Sequence, residues 1–239
     1  MKDLILPKRY EDRNGKYPQH INKPKLSYSQ YTSYKDPEYQ NDYYVQYFSG
    51  INLGGNVFSD FGGYCGTKIE HIALGKEYET PLLENDIKIL TEQIDYPENC
   101  VYEDEICVDF GDFVAEGYID RSEYIGDGVK VLDFKTLNIK KKAEFYASEE
   151  YGQSTLYCYD REQAGYKILE SSVCGLGRKG VSFEGEKNYR IRLSGEIIYI
   201  PTPYSKERAE KVLNSMREVA KQISDDYKIY LKYFSPKTK

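Results

Sequence analysis

Hydrophobic and polar positions follow several rhythms along this chain, and each rhythm predicts an element. Residues 1–25 are polar, proline-containing and aperiodic, and read as an extended arm. From Ser27 to Phe48 the residues Tyr28, Tyr31, Tyr34, Tyr39, Tyr43 and Tyr47 recur at helical spacing. The run is broken near Pro37, which predicts two short helices. Gly50–Gly63 reads as a glycine-rich loop. A helix follows over Gly63–Gly75, and another from Thr80, with Pro81 at its first position, to about Ile94. Three strand patterns come next, at Val101–Phe110, Phe113–Ile125 and Val129–Leu137. Glu144–Gly165 has a helical period, with Tyr151, Leu156 and Tyr159 among its apolar positions; Tyr166–Val173 and Tyr189–Ile200 return to strands. Ser205 caps a long last helix striped by Ala209, Val212, Leu213, Met216, Val219, Ala220, Ile223 and Tyr227. This order predicts one α/β domain over residues 26–239, a central mixed sheet flanked by helices.

The second and third strands carry the chemistry. In GYIDRSEYIGDGVKVLDFKT, residues 117–136, side chains alternate so that Val129, Val131, Asp133 and Lys135 share a face. A two-residue turn at Gly126–Asp127 sets Asp120 across from Asp133; a turn at Asp127–Gly128 sets it across from Lys135. Either register gathers two carboxylates and one ammonium on one face. Opposed like charges cost stability, and a divalent cation, Mg²⁺ or Mn²⁺, removes the conflict. Carboxylates holding such a cation beside a phosphodiester, with a lysine to stabilise developing charge, form a hydrolytic site. The bland alternative is a solvated hairpin with a surface ion pair. Against it, Asp133 and Lys135 lie in a Val-Leu-Phe-rich strand, where burial makes charge expensive.

Composition narrows the class. The chain has 239 residues, 40% hydrophobic and 30% charged, as expected of a soluble globular protein. It has no apolar run long enough to span a membrane, and its first residues lack a signal-peptide core. Five cysteines without a CxxC pair argue against disulfides, zinc and an iron–sulfur cluster, and favour a cytoplasmic setting. A net charge of −6 argues against non-specific coating of DNA but not against a nuclease, whose bound metals supply local positive charge. The 26 tyrosines read mainly as packing, with some free to stack on bases.

These motifs resemble the PD-(D/E)xK nuclease superfamily, in particular its RecB-like and lambda-exonuclease-like branches. Gly117–Asp120 and Val131–Thr136 are similar to its glycine–apolar–Asp strand and its apolar strand ending Asp/Glu-x-Lys-Thr. Gly66-Thr-Lys-Ile-Glu70-His71 resembles its upstream helix. Strict spacing there selects Glu70, whereas the RecB-like pattern takes a histidine, so Glu70 and His71 both remain candidates. Gln153-Ser-Thr-Leu-Tyr157 has the Gln-x-x-x-Tyr spacing of the RecB-like branch, and Leu26-Ser-Tyr-Ser29 resembles its opening. The resemblance covers residues 26 to about 165. It implies a restriction-endonuclease-like core and a stand-alone phage-type DNA nuclease of replication or recombination, with a recombination or replication protein as a further partner. It implies that Asp120, Asp133, Lys135 are catalytic, that Glu70 or His71, Asp120, Asp133 and the Phe134 carbonyl ligate Mg²⁺ or Mn²⁺, and that Gln153 and Tyr157 position the DNA strand. Exonuclease action on DNA ends is the favoured mode; a structure-specific endonuclease or a non-catalytic DNA-binding module on the same fold are the alternatives.

Two basic segments remain. Gly175-Leu-Gly-Arg-Lys-Gly180 fits GxGxxG, but a strand pattern follows it where a dinucleotide fold needs a helix, so it reads as a strand-connecting loop whose Arg178 and Lys179 can contact phosphates. The run Lys140–Lys142 reads by itself as a solvated helix start, but it follows the Asp133-x-Lys135 strand closely enough for Lys140 and Lys141 to be candidates for phosphate contact.

Overall fold

Six strands form one mixed sheet in the computed structural model, which describes residues 4–8, 23–180 and 191–234, apart from the side chains of Lys141 and Lys142. The strands are β1 (Lys25–Leu26), β2 (Cys100–Asp109), β3 (Val114–Ile125), β4 (Gly128–Leu137), β5 (Lys167–Lys179) and β6 (Arg192–Pro201). Their order is β1-β3-β4-β5-β6, with β2 also paired to β3. The helices are α1 (Tyr28–Lys35), α2 (Gln40–Tyr43), α3 (Val57–Ala73), α4 (Glu84–Gln93), α5 (Ile139–Ala147), α6 (Gln153–Gln163) and α7 (Lys206–Phe234), with a π-helical turn at Tyr44–Phe48. The expected α/β class with a mixed sheet and flanking helices is therefore present.

The chain divides into two compact units. The first holds the described residues of Met1–Gly54, Glu105–Gly117 and Glu210–Lys239. Most of the expected arm lies outside the described residues; of the rest, Lys25 enters β1, which pairs in parallel with β3 through Lys25↔Val114 and Leu26↔Ala115. Ser27 and Gln30 cap α1 reciprocally. The tyrosine-rich segment packs on α7 by its rings and tethers by its hydroxyls: Tyr34 and Tyr44 donate to Asp226 Oδ2 at 2.7 and 2.9 Å. Tyr31 and Ser215 share a 2.8 Å hydrogen bond. Phenols suit this layer because the ring fills the core while the polar tip finds a partner.

The second unit, Gly55–Asp104 and Tyr118–Ala209, contains the hairpin. Its antiparallel register runs from Ile125↔Gly128 to Arg121↔Leu132, so the turn is Gly126–Asp127, the first of the two registers expected. Gly126 has φ 59° at the first turn position, a backbone that glycine adopts without a Cβ penalty. Strand β4 then pairs in parallel with β5, Asp133 beside Val173 and Lys135 beside Gly175. Helices α5 and α6 make the crossover that parallel pairing requires. One sheet face buries Leu132, Phe134, Cys174 and Leu176 against Phe61, Cys65 and Ile69 of α3 and Ile89 and Leu90 of α4. On the face that bears Asp133, Val173 and Ile200 pack with Tyr151.

Several boundaries differ from expectation. Helix α3 begins at Val57 rather than Gly63, because the Asn56 side chain accepts from the Phe58 and Ser59 N–H groups and caps it early. Helix α4 begins at Glu84, as Thr80 Oγ1 is taken by the Leu82 N–H in a local turn. The helix expected over Glu144–Gly165 is two, α5 and α6, separated where Ser148 folds back to Phe145 O and accepts from the Glu150 N–H. Tyr189 lies outside the described residues. The segment Gly175–Gly180 is not a loop. Through Lys179 it continues β5, where a Cβ on Gly175 would meet Ile198 and Leu137 side chains at 3.0 Å, and one on Gly177 would meet Glu196 O at 2.8 Å. Those two glycines serve close approach between strands.

Candidate active site

The hairpin brings Asp120, Asp133 and Lys135 together. Asp120 Oδ2 accepts from the Phe134 N–H at 2.6 Å, a bond made to the strand backbone by a side chain. Asp133 is fully buried, and its Oδ2 accepts from Lys135 Nζ at 2.6 Å and from the Tyr151 hydroxyl at 2.8 Å. Asp133 Oδ1 is buried with no hydrogen-bond partner among the described residues. A buried carboxylate oxygen left bare is costly, so a cation or donor is the natural occupant of that position.

Electrostatics show the same tension. Burial, followed by repulsion from Asp133, pushes the Asp120 carboxyl up to about 8, against the pull of Lys135 and the Phe134 N–H. Burial also works against the Lys135 ammonium, yet attraction to Asp133 and Asp120 outweighs it and leaves that group held above its ordinary value. Glu103, solvent-exposed on β2, is raised as well, by local desolvation and then by Glu70 and Asp133, with Lys135 opposing. Glu103 thus feels the charges of Glu70 and Asp133, and Asp120 those of Asp133 and Glu103, with Lys135 opposing in both cases.

Glu103 went unnoticed in the sequence because its position on β2 alternates to the solvent side, which looks like ordinary surface charge. It is the one non-glycine with positive φ among the described residues, at 52°, a backbone setting uncommon for glutamate. By its spacing Tyr151 is one more apolar position of a helical pattern. It lies in the short link before α6, and its hydroxyl reaches Asp133. A tyrosine two residues before Gln153 was the available clue.

The other expected residues divide by location. The adjacent pair on α3 separates: Glu70 acts on Glu103, whereas the His71 ring stacks on Tyr78 at 4.9 Å, with Nδ1 buried and without a hydrogen-bond partner among the described residues. Gln153 stands between two phenols, its amide 3.1 Å from the Tyr151 oxygen and 2.5 Å from the Tyr157 oxygen. Tyr157 is 3% exposed, its hydroxyl turned inward. Arg178 stacks on the Phe58 ring with its Cζ 3.8 Å from the centroid, and its Nε and Nη1 atoms are buried without partners among the described residues. Burial lowers its pKa, countered by Tyr146, which also lies near Lys135. Lys140 and Lys179 are exposed, and the Lys141 side chain lies outside the described residues. A cleft of about 390 Å³ opens beside Lys135 and Thr136, lined also by Asn56, Phe58 and Ser59 at the start of α3.

The donor set fits a hard divalent cation: all oxygen, several carboxylates, one orphaned buried oxygen. Among the described residues no three acidic, histidine or cysteine side chains close on one point as a ready cage. In the geometry present, Lys135 supplies the countercharge to Asp133 at contact distance. Burial pushes the thiols of Cys65, Cys158 and Cys174 up to about 12, so these three are poor nucleophiles. No described helix is long and apolar enough to cross a membrane.

In comparisons with known proteins, no family model matches this chain and no curated protein matches it.

Proposed function

We propose that the protein is a metal-dependent deoxyribonuclease on a restriction-endonuclease-like core. The observation that carries this reading is the fully buried Asp133, bound through Oδ2 to Lys135 and left with a bare Oδ1 beside the raised Asp120. Ion pairs buried this deeply are costly to maintain and cluster where chemistry uses them. Glu70, Glu103, Asp120 and Asp133 are the side chains that would hold Mg²⁺ or Mn²⁺; His71 stands next to Glu70 as the alternative, and the Phe134 carbonyl as a backbone ligand. When bound, the cation would acidify a water and neutralise phosphate charge.

The chain's own residues do the rest. Lys135 sits at the edge of the cleft, 29% exposed, able to face a phosphodiester on one side while bound to Asp133 on the other. Arg178, stacked on Phe58 and with Nε and Nη1 lacking partners among the described residues, would offer planar donors to a phosphate oxygen. Lys140 and Lys179 extend that charge at the surface. With a net charge of −6, the protein depends on this local cationic strip rather than on a broad basic surface. That favours a strand end, which enters without the cost of opening paired bases, a few kcal/mol. The reading is therefore an exonuclease of DNA ends, of the kind that works in replication or recombination. Digestion of linear, nicked and covalently closed circular DNA with Mg²⁺ or Mn²⁺ tests it. Linear DNA should disappear while closed circles persist. Equal rates on both would replace the exonuclease by an endonuclease, and binding without cleavage would favour a non-catalytic DNA-binding module.

A further inference from the structure

The hydroxyl of Tyr151 has a single proton, and that fact orders the whole inner wall of the site. Asp133 Oδ2 accepts from Lys135 at 2.6 Å and lies 2.8 Å from the Tyr151 oxygen, so Tyr151 must spend its proton on the carboxylate. The Gln153 carbonyl Oε1, 3.1 Å from the Tyr151 oxygen, is the second acceptor facing that one proton, behind the shorter bond to Asp133. The Gln153 Nε2 amide donates to the Tyr157 hydroxyl oxygen at 2.5 Å. Tyr157, Gln153 and Tyr151 thus form one hydrogen-bonded chain that ends on Asp133.

Tyr151 is fixed from three sides. Arg208 Nη2 donates to the Tyr151 carbonyl at 2.7 Å and to the Ser148 carbonyl at 2.8 Å, pinning the link between α5 and α6. The Tyr146 ring meets the Tyr151 ring edge-on at 4.9 Å, and the Phe145 ring at 5.9 Å. The Tyr151 side is 5% exposed and Tyr157 3%, so water does not compete for these bonds. With two donors on Oδ2, the carboxylate cannot rotate without breaking both, and Oδ1 alone remains for a cation.

We propose that Tyr151 is the positioning residue of the Asp133 carboxylate, and that Gln153 and Tyr157 act on the site through it rather than by touching a nucleic-acid strand. This rests on the reading of Asp133 as a metal-holding carboxylate. Outer hydrogen bonds of this kind set ligand orientation, and their loss costs about 10–100-fold in metal affinity or activity.

The test compares wild type with Tyr151→Phe, which keeps the ring and removes only the hydroxyl. Mn²⁺ titration by calorimetry is the primary readout, and DNA cleavage the second. Tyr151→Phe should weaken Mn²⁺ binding about 10–100-fold and lower kcat by a similar factor with KM unchanged. Tyr157→Phe should move both in the same direction by less, and the double variant should fall short of the product of the singles. Should Tyr151→Phe not fold, Tyr157→Phe decides at the smaller amplitude. Mn²⁺ affinity within twofold of wild type in the folded variants overturns the proposal, as does a wild type that binds no Mn²⁺. A wild type that binds Mn²⁺ but cleaves no DNA removes the nuclease reading alone, because the Mn²⁺ isotherms still decide the role of Tyr151.

Discussion

Replacing Asp120 by asparagine should make the metal-free protein more stable at pH 8 and less dependent on pH. The Asp120 carboxyl is held at about 8 in the folded chain, against 3.8 as its ordinary value, chiefly by burial and by Asp133. Between those values the folded state keeps a proton that the unfolded state has released. Each unit of rising pH in that window therefore lowers the unfolding free energy by up to 1.36 kcal/mol, and below 3.8 the group contributes no slope. Over the window the ceiling is roughly 5 kcal/mol. Asp120 is half-buried, and solvent screening brings the expected loss to about 2–3 kcal/mol. For a chain of this size that is roughly 5–10 °C in Tm. Asparagine keeps the shape and can still accept from the Phe134 N–H through its carbonyl. Calorimetric melting in a chelator, from pH 5 to 8.5, should show wild type losing stability across the range and Asp120→Asn staying flatter. Saturating Mn²⁺ should then raise the wild-type Tm at pH 8 and leave the variant nearly unmoved. Parallel pH profiles for the two proteins would refute the assignment of buried charge conflict to this carboxylate.

Two further outcomes follow from the geometry. Gly177→Ala should cost about 1–3 kcal/mol in thermal unfolding, because its Cβ meets Glu196 O at 2.8 Å; Gly63→Ala, where nothing lies within 4 Å on an exposed helical turn, should stabilise by about 0.5–1 kcal/mol, and a reversed order would contradict the strand assignment of Gly175–Lys179. Glu103→Gln should weaken Mn²⁺ binding several-fold in calorimetry, since Glu103 shares the field of Glu70 and Asp133; an unchanged isotherm would remove it from the site.

The parts of the fold set by local pattern were readable in advance. Alternation along β3 and β4 with a glycine at the turn leads to the observed register, and the stripe on α7 is buried at Ala209, Leu213, Met216, Val219, Ala220 and Ile223. The gathering of Asp120, Asp133 and Lys135 follows from that register alone. What escaped the sequence depends on contacts between distant segments. Nothing local distinguishes Gly175 and Gly177 from turn glycines until Leu137, Ile198 and Glu196 stand against them. Glu103 occupies a position whose alternation says solvent, and only the nearby carboxylates give it a role. Tyr151 is one aromatic among many until its hydroxyl meets Asp133 across an 18-residue separation. The split between α5 and α6 depends on bonds made by Ser148, a residue that helices also tolerate.

The most direct test of the central claim is cleavage of end-labelled linear DNA by purified protein with Mg²⁺ or Mn²⁺, run beside Asp133→Asn and Lys135→Ala. The account predicts metal-dependent loss of label by wild type. In Lys135→Ala the rate should fall about 10²–10³-fold, the usual cost of removing one charge-stabilising donor, with Mn²⁺ binding retained. In Asp133→Asn both cleavage and Mn²⁺ binding should be lost. Cleavage that survives both substitutions, or that proceeds unchanged in a chelator, would contradict it.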